Sequence, residues 1–199
     1  MKCLLCGKSL QTEITFTNLL CLKKEEEIVC ESCISSFESI GGNHCPTCFK
    51  KGMSIICQDC QFWGKKGVKV DHVALYSYNQ AMKEYFSRYK FDGDYLLRKV
   101  FSETLQKELK KYKNYQIVIV PLSDQRLKSR GFNQVEGLIK DTGLAYLDIL
   151  VKKEVEASSS KNRADRLLTE FPFFLKDGVK PPENILLFDD IYTTGTTLN

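Results

Sequence analysis

Near the end of the chain two adjacent carboxylates stand ahead of a cluster of hydroxyls: Asp189-Asp190-Ile191-Tyr192-Thr193-Thr194-Gly195-Thr196-Thr197. Paired acids can accept hydrogen bonds from two vicinal hydroxyls of a pentose. Four threonines add hydroxyl donors, and Gly195 lets the backbone approach an anion closely. Ile185 to Phe188, just upstream, reads as a buried strand, and Leu198 as the start of a helix. Backbone N–H groups at a helix N-terminus are unpaired and favour negative charge. Strand, acids, hydroxyl loop and helix, in that order, suit a phosphorylated sugar. Two acids after a strand are often only a turn; the Thr-Thr-Gly-Thr-Thr that follows makes the difference.

The second chemical constellation lies at the other end. All nine cysteines fall within the first 60 residues, and eight form Cys-x-x-Cys pairs: Cys3/Cys6, Cys30/Cys33, Cys45/Cys48 and Cys57/Cys60. Each pair can present two thiolates to one tetrahedral ion, and two pairs close a four-thiolate site. Two structural zinc ions are the expectation, with no coordination position left open. Sequential pairing is slightly preferred, because the 8-residue gap between Cys48 and Cys57 suits a compact ribbon; a cross-braced arrangement remains open. Disulfides are the weaker reading, since a chain without an export signal sits in a reducing compartment. Iron–sulfur binding is weaker still. Cys21 reads as a small buried hydrophobe, and His44 and His72 as ordinary polar residues rather than ligands. A segment with so few large apolar side chains cannot fold on its core alone, so metal must supply most of its folding energy.

The elements that position these groups follow from the apolar pattern. The chain has 199 residues, 43% hydrophobic and 27% charged, which is ordinary globular composition. No apolar run nears the roughly 18 residues needed to span a bilayer. The N-terminus is too short and cysteine-rich for a signal peptide, so a cytoplasmic protein is expected. The formal charge of +4 falls to zero once two zinc–tetrathiolate sites are counted, so only local basic patches can argue for nucleic acid. Lys65 to Lys69 reads as a linker, with Phe62 and Trp63 as packing residues before it. Val73 to Tyr78 suggests a strand, Met82 to Phe91 a helix, and Tyr95 to Tyr112 a second helix. Ile117 to Val120, ended by Pro121, suits a central parallel strand. Gln134 to Ile139 suggests a helix; Leu144 to Val151, Phe171 to Leu175 and Ile185 to Phe188 suggest strands. The alternation predicts an α/β fold with a mainly parallel sheet flanked by helices. Ligands of such sheets bind at the carboxyl ends of strands, where Pro121 and Asp189 both lie. The polar, serine-rich stretch between Lys152 and Leu168 reads as a loop, either a solvated excursion or a basic flap carrying Lys161, Arg163 and Arg166.

The acid pair with Thr193 through Thr197 resembles the phosphoribosyl-pyrophosphate (PRPP) signature of type I phosphoribosyltransferases. Val120-Pro121-Leu122 followed by Arg130-Gly131-Phe132-Asn133-Gln134 looks like a second marker of one branch. With the cysteine pairs added, the chain from Cys3 to Asn199 resembles the ComF family, late competence proteins of naturally transformable bacteria. The resemblance implies a zinc-binding module over residues 1–68 and a phosphoribosyltransferase-like domain over 69–199. It implies that Asp189 and Asp190 bind the ribose hydroxyls and serve as the catalytic acids. Thr193, Thr194, Gly195, Thr196 and Thr197 would cradle the 5-phosphate. Leu122 and Ser123 would lie in the pyrophosphate loop, with Arg130 on the pyrophosphate and Mg2+ bridging pyrophosphate and ribose oxygens. The family fold continues past the phosphate loop with a helix and a strand. If Asn199 is the natural end, a weakly ordered C-terminus and weak PRPP binding are expected.

Three functions follow from the resemblance and the residues. The first is a DNA-uptake factor, handling incoming single-stranded DNA beside a helicase-like ATPase and recruited to the inner face of the membrane only through partners. Such a role needs a basic groove with aromatics. Candidate patches are Lys107, Lys110, Lys111 and Lys113; Arg126, Lys128 and Arg130; and Lys50, Lys51, Lys65, Lys66 and Lys69. The second is an active phosphoribosyltransferase moving ribose 5-phosphate from PRPP to an unknown acceptor; nothing here resembles the nucleobase-binding hood of purine transferases. The third is an adaptor whose cysteine module docks a partner.

Overall fold

A computed structural model describes residues 1–10, 28–152, 173–193 and 195. The cysteine-rich segment contributes α1 (Glu31–Ile34) and α2 (Gln58–Lys65). Next come α3 (Gln80–Lys90), a 3-10 helix (Tyr95–Phe101) and α4 (Ser102–Leu109). Strand β1 (Gln116–Ile119) leads into α5 (Asp124–Arg130) and α6 (Gln134–Lys140). Three short strands follow: β2 (Leu150–Lys152), β3 (Phe173–Leu175) and β4 (Ile185–Phe188).

The fold is mixed α/β around a parallel pair, as the alternation predicts. β1 and β4 run parallel, with Gln116 opposite Ile185 and Ile119 opposite Phe188. On the other edge of β1, Leu147 makes a parallel bridge to Val118. It donates to Ile117 O and accepts from Ile119 N. β1 is therefore central, and its apolar run from Ile117 to Val120 is buried. β2 and β3 form a separate antiparallel pair, Leu150 opposite Leu175.

Side-chain caps fix where the flanking helices begin. Asn79 Oδ1 accepts from Met82 N at 3.0 Å and starts α3. That helix buries Met82, Tyr85, Phe86 and Tyr89 along one face. Asn133 Oδ1 accepts from Val135 N at 2.9 Å and starts α6. One core unites these faces with Leu97, Phe101 and Leu105, and the cysteine segment joins it through Phe37, Leu4 and Leu5. Arg88 ties the same segment down, donating to Leu5 O at 2.7 Å and to Leu4 O at 3.1 Å.

Gly137, inside α6, packs closely against this core. A Cβ there would overlap the Tyr89 hydroxyl, which donates to Gln134 O at 3.0 Å, and would lie 3.2 Å from Tyr95 Cε2. Alanine normally gains about 1 kcal/mol over glycine in a helix interior. Overpacking costs roughly 1–3 kcal/mol, so Gly137→Ala should destabilise the fold despite its better helix propensity. Urea denaturation checks this; a stabilised variant would contradict the packing described.

Several sequence expectations are corrected. Val73 to Tyr78 is not a sheet strand. Tyr76 makes an antiparallel bridge to Ser39, with Ile40 N bonded to Leu75 O and Ser77 N to Glu38 O, so this stretch clasps the cysteine segment. Tyr95 to Tyr112 is a 3-10 helix running into α4, not one α-helix. Leu144 to Val151 gives one parallel bridge at Leu147 and then turns into the antiparallel β2. Lys65 to Lys69 is not an open linker. Lys65 closes α2, Gly67 turns the chain with φ +79°, and Val68 packs against the second cysteine group. α5 was not foreseen. Cys21, Lys161, Arg163 and Arg166 lie outside the described residues, as do Thr194, Thr196 and Thr197.

Candidate functional site

The eight paired cysteines gather into two groups in sequential order: Cys3, Cys6, Cys30 and Cys33, then Cys45, Cys48, Cys57 and Cys60. Within each group the four sulfurs lie within 4.8 Å of one another. Cys6 and Cys30 sulfurs are 3.7 Å apart, Cys48 and Cys57 3.6 Å, and Cys45 and Cys60 3.9 Å. A tetrahedral ion with metal–sulfur bonds of about 2.3 Å separates its sulfurs by about 3.8 Å. A disulfide needs about 2.05 Å. All-sulfur donor sets at this spacing fit a tetrahedral ion such as zinc, and the spacing removes the disulfide reading.

Local hydrogen bonds prepare a thiolate in each group. The Ser32 hydroxyl pulls Cys30 down to about 6. Burial opposes ionisation of Cys45, but bonds from the Thr47 hydroxyl and the Cys57, Thr47 and Cys48 amides outweigh it and bring Cys45 to about 5. The thiolate is the metal ligand, so these bonds favour the ligating form of Cys30 and Cys45. The groups differ in exposure: all four cysteines of the second are buried, whereas Cys6 is exposed. His44 stacks on Phe49 and His72 on Tyr192; neither joins a thiol group. Trp63 is buried among the second group, so it packs rather than offering a face for stacking.

At the carboxyl end of β4 the acid pair turns inward. Asp190 is only 8% exposed and forms an ion pair with Lys90 of α3. Asp189 Oδ1 accepts from Asp190 N at 2.8 Å. Burial, reinforced by the neighbouring Asp190 charge, raises Asp189 to about 7. The pair ends a parallel strand, where α/β sheets place ligands. Beyond it Tyr192 stacks on His72 at 4.2 Å, and His72 Nδ1 lies 3.2 Å from Cys48 O. The acid loop thus leans on the second thiol group. Gly195 holds φ +83°, a left-handed turn suited to glycine.

Asp189, Asp190 and Thr193 line one end of a cleft of about 690 Å³ that runs along β4 to α3 and α4. The rest of its wall combines apolar residues such as Phe86, Phe101 and Leu105 with the charged Lys50, Lys51, Asp59, Asp71 and Glu108. Leu122 lines a separate cavity of about 230 Å³ with Lys152 and Lys176. Ser123 and Arg130 line neither. Arg130 feels Asp190 through its charge: burial lowers it and Asp190 raises it. It also donates to Gln134 Oε1.

Two cations near the acids were missed in the sequence, Lys90 and Lys152. Lys152 is lowered by burial and by Arg126, and raised by Asp189 and Asp190. The only signal for Lys90 was its place at the C-terminal end of an otherwise core-facing helix. Among the candidate basic patches, Lys50 pairs with Asp59, Lys51 with Glu38 and Lys111 with Glu108. Lys66 sits over the Phe62 ring. Lys51 and Lys111 pair at the surface, whereas Lys50 reaches the buried Asp59.

Two four-thiol groups clasped onto an α/β layer, with paired acids ending its parallel strand, define a cysteine-rich α/β protein. Over 199 residues the chain is 59% identical to the competence protein ComFC of Streptococcus pneumoniae (strain ATCC BAA-255 / R6), covering 100% of this chain and 90% of the relative. It is 34% identical over 205 residues to the competence protein ComFC of Bacillus subtilis (strain 168), covering 99% and 85% respectively. The chain belongs to the ComFC family of competence proteins. No family model and no solved structure matches it. Among the described residues no helix is long and apolar enough to cross a membrane.

Proposed function

We propose that the protein serves DNA uptake in competence through a PRPP-binding domain, alongside single-stranded DNA and a helicase-like ATPase. The observation that carries the PRPP reading is the inward-turned, half-buried acid pair at the end of a parallel strand, followed by a left-handed glycine turn. Holding two adjacent carboxylates away from solvent is costly even with Lys90 paired to one of them, which points to a ligand that uses them. Asp189 and Asp190 accept the vicinal hydroxyls of the pentose. Thr193 and the Gly195 turn face its 5-phosphate. Mg2+ arriving with the diphosphate would supply charge neutralisation among oxygen ligands. The competence role rests on the names of the two relatives, and the DNA and ATPase partners on the family resemblance. The exposed Arg126 and Lys128 beside Arg130 are the basic residues best placed for a phosphate backbone.

Phosphoribosyl transfer is the second reading, favoured by Asp189 near 7, the range for proton transfer at neutral pH. In that reaction the bond from ribose C1 to pyrophosphate breaks and a bond from C1 to the acceptor forms. The acceptor proton passes to Asp189, and pyrophosphate leaves. Pyrophosphate release from PRPP with candidate bases or amines tests it.

Calorimetric titration of the metal-replete chain with Mg·PRPP, then with single-stranded DNA, tests the first reading. Saturable uptake of one PRPP per chain is expected, and DNA binding that weakens steeply with salt. Absence of PRPP heat would remove the proposal.

A further inference from the structure

Lys90 is the last residue of α3, and its side chain is only 12% exposed. Lysine is almost never buried without a partner, and its partner is Asp190 Oδ2. A buried ion pair seldom stabilises a fold better than an apolar pair of similar volume. Its retention beside the acid pair calls for another use. The ammonium also sits 4.5 Å from the centre of the Phe86 ring, an attraction that remains if Asp190 turns away. The helix beneath is held rigidly: Tyr85 donates to Leu97 O at 3.1 Å and Tyr89 to Gln134 O at 3.0 Å. Arg130 of α5 acts on Asp190, and Lys152 of β2 on both acids. Three cations therefore act on the two carboxylates at the end of β4.

We infer that Lys90 is a ligand-binding residue: it neutralises Asp190 in the free protein and turns to the ligand's diphosphate oxygens when the acids take the pentose hydroxyls. This rests on the PRPP reading. A helix-borne lysine fixed by a ring and a core needs little reordering to make the exchange. The exchange frees Asp190 as the ligand enters, so one buried charge pair is replaced by two charge-assisted contacts.

Calorimetry on the metal-replete full-length protein separates the possibilities, with Mg·PRPP and inorganic pyrophosphate as probes. Lys90→Met should weaken both by about tenfold or more, the worth of one hydrogen bond between charged groups. Lys90→Arg should restore most of that loss. Asp190→Asn should lose PRPP but bind pyrophosphate more tightly than wild type, because Lys90 is released. A purely structural Lys90 would not give opposite changes for the two probes. Wild-type pyrophosphate affinity in Lys90→Met overturns the inference while leaving the PRPP reading standing. Wild type that binds neither probe overturns both. Should Lys90→Met not fold, Asp190→Asn decides alone: unchanged or weaker pyrophosphate binding overturns the inference.

Discussion

Asp189→Asn should make the protein more stable at pH 8 while weakening its affinity for PRPP at least about tenfold. The carboxyl of Asp189 rises from 3.8 to about 7 because it is buried and stands beside Asp190. A folded state that binds this proton more tightly than the unfolded chain gains stability as pH falls from about 7 toward 4, and loses it as pH rises through that window. Above 7 the buried anion is carried at full cost. Roughly three pH units at 1.36 kcal/mol each set a ceiling of about 4 kcal/mol. Asparagine keeps the shape, and its carbonyl oxygen can still accept from Asp190 N. The variant should therefore exceed wild type by roughly 2–4 kcal/mol at pH 8 and by much less at pH 5. The quantity to follow is the difference between the two proteins, because protons compete with metal for the thiolates of both as pH falls. PRPP affinity should drop at least about tenfold, since a carboxylate acceptor for a ribose hydroxyl is lost. Gained stability with lost binding marks a residue kept for function. A variant that is less stable at pH 8, or that binds PRPP as wild type does, contradicts this assignment.

Metal removal should have the second large effect, in two stages. A chromogenic chelator should withdraw two equivalents per chain. The first should leave quickly from Cys3, Cys6, Cys30 and Cys33, where Cys6 is exposed. The second should leave slowly from the fully buried group. Structural zinc supplies on the order of 10 kcal/mol per site, so the stripped protein should melt far below the loaded one. PRPP affinity should follow the second equivalent rather than the first. Trp63, Val70 and Tyr192 pack against the second group, and Tyr192 follows the acid pair by two residues. Cys57→Ser should remove the slow phase alone. A single phase, or a melting temperature indifferent to chelation, would contradict the two-site account.

Much of this was legible in the sequence because it depended on local chemistry. Four Cys-x-x-Cys pairs announce metal groups, although spacing could not choose between sequential and crossed pairing; sulfur distances did that. The apolar runs at Ile117 to Val120 and Ile185 to Phe188 gave the parallel pair. Misreadings arose where a partner far along the chain decides the outcome. Val73 to Tyr78 has strand composition, but among the described residues it pairs with just the short stretch around Ser39, so it forms a bridge instead of a sheet strand. Leu97, Phe101, Leu105 and Leu109 lie four residues apart, and burial at that spacing did not reveal that the chain tightens into a 3-10 helix up to Phe101. α5 is polar nearly all round and buries no residue, so periodicity could not announce it. Asp189 and Asp190 stood out in the sequence; Lys90, 100 residues upstream, did not, because only the packing of α3 brings it to them.

The most direct test of the PRPP reading is a crystal of the metal-loaded protein soaked with Mg·PRPP. The pentose should lie against Asp189 and Asp190, its 5-phosphate should lie over the Gly195 turn, and the Lys90 ammonium should have left Asp190 for the diphosphate. A soaked crystal in which the acid end of the cleft stays empty and the Lys90–Asp190 pair remains intact would contradict it.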